Sequence, residues 1–196
     1  MCVQEDFEDA LPFLDDAMVV LTDTCGVDSL EMADCHNRMG SVLQALKVHD
    51  EAKEAYREAM RIYLSHYGKE HAEVAKVTNN FATLLDAMGE REEALYFYDQ
   101  ALSTLKRLHG ETHPQVLVTL DNLASLFMDM GLVEESMEVE AQADAIAERI
   151  ISRSERKKTS GSREGGRKRQ GRGGRDVGGP DVDVGGQSSS GRCSVM

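Results

Sequence analysis

The sequence has little of what membrane-spanning, secreted or disulfide-bonded proteins require. Its longest uninterrupted apolar run, residues 17–21, is far shorter than the roughly 20 residues that span a bilayer. The first residues are acidic and carry no basic cluster, so they do not resemble a signal peptide. The four cysteines show no CxxC spacing, which favours free thiols in a reducing compartment. We therefore expect a cytoplasmic protein.

The sequence also lacks the patterns of common catalytic and cofactor sites. No GxSxG, P-loop or GxGxxG sequence occurs, and the six histidines do not show the paired spacing of an HExxH metal site. The many Asp and Glu residues follow helical surface patterns, as expected of a solvated face. We expect no enzyme activity, no cofactor and no bound metal.

Charge is divided unevenly along the chain. Residues 1–150 contain 11 basic and 30 acidic side chains, a net charge of −19, whereas residues 151–196 contain 11 basic and 5 acidic ones, a net charge of +6. An acidic folded part disfavours nucleic acid as its main partner, because phosphate contacts require Lys and Arg.

A period of 42 residues runs through the acidic part. Gly26, Gly68 and Gly110 are 42 residues apart, and so are Gly89 and Gly131. Small residues recur in two further registers: Ala10, Ala52, Ala94 and Ser136, and then Ala17, Ala59, Ala101 and Ala143. Apolar residues within each unit follow helical spacing, and no segment alternates like a strand. Each unit is therefore predicted to be two helices, and the fold class all-α.

The repeated residues resemble those of a known family. They are NNFATLLDAMG at residues 79–89, EALYFYDQAL at residues 93–102 and GETHPQV at residues 110–116. The chain resembles a tetratricopeptide (TPR) repeat array in the long-repeat form of kinesin light chains and nephrocystin-like proteins. The resemblance covers about residues 7–150. It implies a right-handed superhelical solenoid of antiparallel helix hairpins that binds other proteins.

The register also predicts the domain organisation. The expected parts are a leading half-repeat helix at 1–28, three repeats at about 29–74, 75–116 and 117–151, and a disordered basic Gly/Ser/Arg-rich tail at 152–196. Pro12 is expected only in the first turn of the leading helix. That helix lacks a hairpin mate and is expected to show an apolar face. Glu140 and Asp144 place charge where a further repeat would dock, which is typical of a capping helix.

The first helix of each pair lines the concave face of such an array, and we expect this groove to bind a peptide or protein partner. Arg38, Asn80 and Asn122 each precede a packed residue, and in similar TPR proteins the matching position often hydrogen-bonds the ligand backbone. An Asn amide suits this role because it both donates and accepts. The other groove candidates are Asp34, Asn37, Ser41, Lys76, Asn79, Thr83, Asp121 and Ser125. The alternative is an ordinary solvated polar face.

The groove candidates and the remaining special residues suggest further properties. The groove is expected to be acidic or mixed in charge, which favours a basic or neutral peptide. His71 and His113 occupy the same loop position of two repeats, which favours packing or helix capping over a metal site. Four methionines at core spacing are expected to fill gaps in the core: Met39, Met60, Met88 and Met130.

Several roles remain open for the tail. Its basic centre, residues 167–175, could contact RNA, act as a nuclear address, serve as a solubilising linker, or compete for the acidic groove of the same chain. The last four residues begin with Cys193 and fit a C-a-a-X prenylation box. A single prenyl group holds a membrane weakly, and the basic centre could supply the second signal.

The leading functional expectation is a non-catalytic adaptor or scaffold, in the manner of a kinesin-light-chain-like cargo adaptor. The alternatives are an RNA-associated protein that uses the Arg/Gly-rich tail, and a prenyl-anchored scaffold at a membrane.

Overall fold

The computed structural model describes the backbone of residues 2–164, and the side chains of residues 7 and 9–153. Within that part of the chain there are seven α-helices and no strands, which confirms the all-α prediction. The helices are α1 (Cys2–Thr24), α2 (Leu30–Ala45), α3 (His49–Tyr67), α4 (Ala72–Ala87), α5 (Arg91–His109), α6 (Pro114–Asp129) and α7 (Val133–Glu164).

The helices pack in chain order, as a solenoid of hairpins requires. Helix α2 packs on α3 and α4 on α5, while α3 and α5 each also contact the first helix of the next hairpin. The first helices α2, α4 and α6 lie side by side, and α1 packs on α2 as a leading half-repeat. The predicted TPR solenoid of three hairpins and a leading helix is confirmed.

Small residues let the helices of a hairpin approach closely. Ala52 and Ala94 are fully buried, each at the equivalent position of its repeat. Ser136 replaces this alanine in the last repeat and is 1% exposed. Its hydroxyl donates to the carbonyl oxygen of Ala124 at 2.9 Å, so the buried polar group is satisfied.

Each hairpin turn is closed by the same two backbone hydrogen bonds. In the middle repeat the Gly89 N–H donates to Asp86 O and the Glu90 N–H to Leu85 O, both at 2.9 Å. Lys47 takes the position of Gly89 in the first repeat, with equivalent bonds and a φ of 64°. It is the single non-glycine residue with positive φ in the described part of the chain.

Histidine side chains at equivalent positions cap the N-termini of α4 and α6. The Nδ1 atom of His71 accepts from the Glu73 N–H at 3.2 Å, and Nδ1 of His113 accepts from the Gln115 N–H at 3.3 Å. The predicted capping role of the two histidines is confirmed. Of the four methionines expected in the core, Met39 is buried, and the other three are half-buried and pack against the hydrophobic core.

Two helix boundaries differ from the prediction. Helix α1 begins at Cys2, so Pro12 lies inside it and not in its first turn. Pro12 is exposed, so water can satisfy the carbonyl that its missing N–H leaves free. Helix α7 continues through Glu164, so it extends 13 residues past the predicted end of the last repeat at residue 151. This segment is rich in Arg, Lys and Glu, which favour helix, and contains no proline.

The ends of the array differ in character. The leading helix shows an apolar face that includes Phe13, 74% exposed, and Val20, 59% exposed. Glu140 and Asp144 on α7 are exposed, as expected of a cap. Residues 165–196 lie outside the described residues, and with them the basic centre, Cys193 and the disorder predicted there. No helix within residues 2–164 is both long and apolar enough to cross a bilayer.

Candidate protein-interaction site

A shallow polar cleft of about 520 Å³ opens between the neighbouring first helices α2 and α4. We call it the α2–α4 cleft. Its lining residues are Leu30, Asp34, Asn37, Arg38, Ser41, Tyr63, Tyr67, Glu73, Lys76 and Asn80. The structure therefore brings together Arg38, Lys76 and Asn80 from the predicted groove, along with Asn37, Asp34 and Ser41.

An asparagine pair joins the two helices at the floor of this cleft. Asn80 Nδ2 donates to Asn37 Oδ1 at 3.1 Å, and Asn37 is buried. Arg38 follows Asn37 on the exposed side, and its guanidinium forms no ion pair or hydrogen bond within residues 9–153. The bond orients the Asn80 amide and leaves its oxygen able to accept, in the same cleft that Arg38 lines.

The charges of the cleft are mixed, as expected. The Lys76 ammonium pairs with the Glu73 carboxylate at 3.1 Å. The Tyr63 hydroxyl donates to Asp34 Oδ1. Burial and this bond to a carboxylate raise the pKa of Tyr63 well above its ordinary value, so the hydroxyl stays protonated. Both acidic side chains are thus occupied, whereas Arg38 is not.

Aromatic rings form one wall of the cleft. The Tyr63 and Tyr67 rings stack with centroids 6.3 Å apart, and Tyr67 stacks on the capping His71 at 3.7 Å. The sequence pattern does not reveal these tyrosines as groove residues, because they belong to α3, the second helix of its pair. Tyr63 stands where the next repeat has Leu105. This change of residue type at one repeat position is the sequence signal that could have identified Tyr63 as a cleft residue.

Two hydroxyls predicted to line the groove, those of Ser41 and Thr83, form hydrogen bonds with the second helix of their own hairpin. The Tyr98 hydroxyl on α5 donates to Thr83 Oγ1 at 3.0 Å, and Thr83 donates to the carbonyl of Asn79 at 3.1 Å. Burial raises the pKa of Tyr98 to about 12, although the bond to Thr83 opposes this shift. In the first repeat Ser41 and Tyr56 form the equivalent contact at 3.1 Å. Thr83 is therefore held by α5.

The α4–α6 step, by which we mean the surface between the next two first helices, has no asparagine–asparagine hydrogen bond among the described residues. Asn79 Oδ1 is buried without a hydrogen-bond partner, and no hydrogen bond of the half-buried Asn122 is found among the described residues. Asp121 and Ser125 are exposed on α6. None of the four lines the α2–α4 cleft.

The α4–α6 step is acidic. Burial, and then the nearby Asp129 carboxylate, raise the pKa of Asp86 above its ordinary value, and Arg91 opposes the shift. Among the described residues, no group of three or more His, Cys, Asp or Glu side chains is arranged to hold a metal ion. Within residues 9–153, the α2–α4 cleft offers a ligand hydrogen bonds, contact with the Tyr67 ring and the unpaired guanidinium of Arg38.

Comparison with known proteins agrees with this architecture. A family model for the tetratricopeptide repeat matches residues 1–65, 32–107 and 73–149, which is most of the chain. A search of curated protein sequences found no match to this chain. The repeats therefore identify the fold and, in general terms, a protein-interaction scaffold.

Solved structures share this fold at low sequence identity. BtubC (BKLC) from P. vanneervenii superimposes with a TM-score of 0.67 and 19% identity, over 91% of this chain and 65% of BtubC. A candidate kinesin light chain with nearly identical TPR-like repeats from Podosopora anserina gives 0.61 and 19%, over 74% and 68%. MamA gives 0.53 and 16%, over 78% of each chain. The chain therefore belongs to the tetratricopeptide repeat family, and it shares its fold with kinesin-light-chain-like TPR proteins.

Proposed function

We propose that the chain is a non-catalytic adaptor that binds a peptide segment of a partner protein in the α2–α4 cleft. The observation that carries the proposal is that Arg38, whose guanidinium is unpaired within residues 9–153, lines the same cleft as an Asn80 amide that Asn37 holds in place. An amide fixed by a neighbour loses less side-chain entropy when it binds a ligand.

The cleft suggests what such a peptide presents. The free oxygen of the Asn80 amide can accept from a backbone N–H of an extended segment. Arg38 can grip one carboxylate in a bidentate manner. The Tyr67 ring, 39% exposed and backed by the buried Tyr63, offers a surface for an apolar or aromatic side chain. We therefore favour a largely neutral peptide with one carboxylate opposite Arg38.

More specifically, we propose that the bound partner is a cargo protein. It is supported by the likeness of fold to a candidate kinesin light chain. The RNA-binding and prenyl-anchor alternatives depend on residues 165–196, outside the described part, and no described residue favours them.

The proposal can be tested with peptides selected by display on the full chain. Alanine at both Arg38 and Asn80 should weaken a selected peptide about tenfold or more, because a hydrogen bond to a charged group contributes about 1.5–3 kcal/mol. Ser125→Ala is the matched control, since Ser125 is exposed on α6 outside the cleft. Calorimetric titration measures both. An unchanged affinity in a correctly folded double variant would show that the peptide binds elsewhere.

A further inference from the structure

A second cleft, of about 540 Å³, lies between α1, α2 and α3. We call it the α1–α3 cleft. Its floor is mainly apolar and is formed by Leu11, Met18, Met39, Leu43 and Ala55, and the half-buried His36 also lines the cleft. Met39 and Leu43 lie on the opposite face of α2 from Asn37 and Arg38, because an α-helix has 3.6 residues per turn. The two clefts are therefore on different sides of the array.

A small residue at one repeat position opens this cleft. Ala55 stands in register with Phe97 of the next repeat and with Val139 of the last. Phe97 packs edge-on against Phe81, with ring centroids 5.1 Å apart, and so fills the equivalent space between α4 and α5. Met39 is the counterpart of Phe81, and Ala55 leaves the space beside it empty.

An ion pair of the second repeat has no counterpart at the same position of the first. Between α3 and the start of α5, Lys53 pairs with Glu90 at 2.6 Å. The residues in register with these two are Leu11 and Val48, which cannot form a salt bridge. Leu11 and Val48 therefore stand without charge where Lys53 and Glu90 join the helices of the second repeat.

The rim of the α1–α3 cleft is acidic. The carboxylates around it belong to Asp15, Asp50, Glu51, Glu54 and Glu58, and no Lys or Arg of the described residues lines it. Asp15, Asp50 and Glu51 form no ion pair within residues 9–153. Glu54 pairs with Arg57 and Glu58 with Arg61, which also pairs with Asp28, and such solvent-exposed pairs are weak.

We propose that the α1–α3 cleft docks a short amphipathic helix of another protein, whose large apolar side chains enter the floor and whose Lys and Arg side chains face the rim. This interaction surface is separate from the proposed peptide cleft and does not depend on it. The occupant follows from the lining, because an apolar floor selects large apolar side chains and unpaired carboxylates select cations.

Other occupants fit the lining less well. The basic segment 152–175 of this chain contains no large apolar residue to enter the floor. A second copy of the array would bring its own net charge of −19 against the acidic rim.

The test uses a pair of fluorescent synthetic helices that share one stripe of Leu at positions i, i+3, i+4 and i+7. One carries Lys at the remaining positions and the other Glu. Fluorescence anisotropy with the full chain should show the Lys helix binding at least about tenfold more tightly, as like charges disfavour the Glu helix. Equal binding of the two helices would overturn the proposed charge selection.

Ala55→Phe is the decisive variant, because it places in the cleft the residue that fills the equivalent space in the next repeat. It should weaken the Lys helix by about tenfold or more, since a filled pocket excludes the apolar anchor. Ala55→Val, which copies Val139, is the milder variant should phenylalanine disturb folding. Unchanged binding to a folded Ala55 variant would overturn the proposal.

Two pairs of charge variants separate docking from general attraction to an acidic protein. Asp50→Asn with Glu51→Gln removes two rim carboxylates, whereas Glu134→Gln with Glu135→Gln removes two from the start of α7. Only the rim pair should weaken the Lys helix, by roughly five- to tenfold, about 1 kcal/mol or more. Equal losses would mean that net charge alone attracts the probe, and would overturn the proposal.

Two further variants of the full chain separate the proposals. Glutamine at Arg167, Lys168 and Arg169 should leave affinity for the Lys helix unchanged. An increase would identify the chain's own tail as the occupant and overturn the assignment to another protein. The Arg38 and Asn80 alanine variant should also leave it unchanged, because both residues line the α2–α4 cleft and neither lines the α1–α3 cleft. A loss there would place the probe in the α2–α4 cleft instead.

Discussion

Replacing Lys47 by glycine should stabilise the protein. Lys47 closes the turn between α2 and α3 with a φ of 64°, where the other two hairpins have Gly89 and Gly131. This left-handed conformation costs an L-residue roughly 1–2 kcal/mol. Lys47 is exposed, and its side chain forms no hydrogen bond or ion pair within residues 9–153, so its removal breaks no such contact.

The expected gain is smaller than the strain itself. Glycine also loses more backbone entropy on folding, roughly 0.5–1 kcal/mol relative to alanine. The net increase in the free energy of unfolding should therefore be about 0.5–1 kcal/mol. For a chain of this size, 1 kcal/mol corresponds to a rise of about 2–4 °C in Tm.

Thermal and urea unfolding, followed by circular dichroism, measure this change. Lys47→Ala is the matched control, since it shortens the side chain but keeps the strained backbone, and it should leave Tm within about 2 °C. Gly89→Ala is the reverse experiment: a Cβ there meets nothing within 4 Å, so any loss of stability comes from the backbone. An unchanged or lower Tm in Lys47→Gly would refute the reasoning.

Two further substitutions test the hydrogen bond between Tyr98 and Thr83 and the acidic α4–α6 step. Tyr98→Phe removes the hydroxyl that donates to Thr83, so urea unfolding should show a loss of about 0.5–1.5 kcal/mol, and Tyr96→Phe on the exposed side of α5 should cost less. Asp86 has a raised pKa in the folded state, chiefly through burial and then Asp129, so the folded protein binds this proton more tightly than the unfolded chain. The stability that this proton contributes is therefore lost as pH rises from the ordinary value of 3.8 through the raised pKa. Asp86→Asn should gain stability relative to the wild type at neutral pH and lose that advantage below pH 3.8; an advantage independent of pH would contradict the assignment.

The local features of the fold could be predicted from the sequence because they depend on residues close together in the chain. The turn at Gly89 needs a positive φ and two backbone bonds within one hairpin. The caps at His71 and His113 reach a backbone N–H two residues away. Two predicted boundaries were wrong. Pro12 lies inside α1, where its exposure to solvent makes it tolerable, and α7 continues past Ile151 although the repeat pattern ends there. The local sequence pattern shows neither effect.

The candidate sites could be predicted less completely, because a helical pattern assigns a residue to a face but not to a partner. Thr83 follows the groove pattern, yet its hydroxyl meets Tyr98 on α5. Tyr63 enters the cleft from α3, a helix that the pattern assigns to the opposite layer.

The sequence by itself determined that this chain is a 42-residue helical repeat with a stripe of small residues and a polar first-helix face. Only the tertiary structure decided that Asn80 bonds to Asn37 while the side-chain oxygen of Asn79 is buried without a partner, and that Ala55 leaves an acidic-rimmed cleft open. The physical reason is distance along the chain: these contacts join side chains from different helices, and their geometry depends on how the hairpins pack.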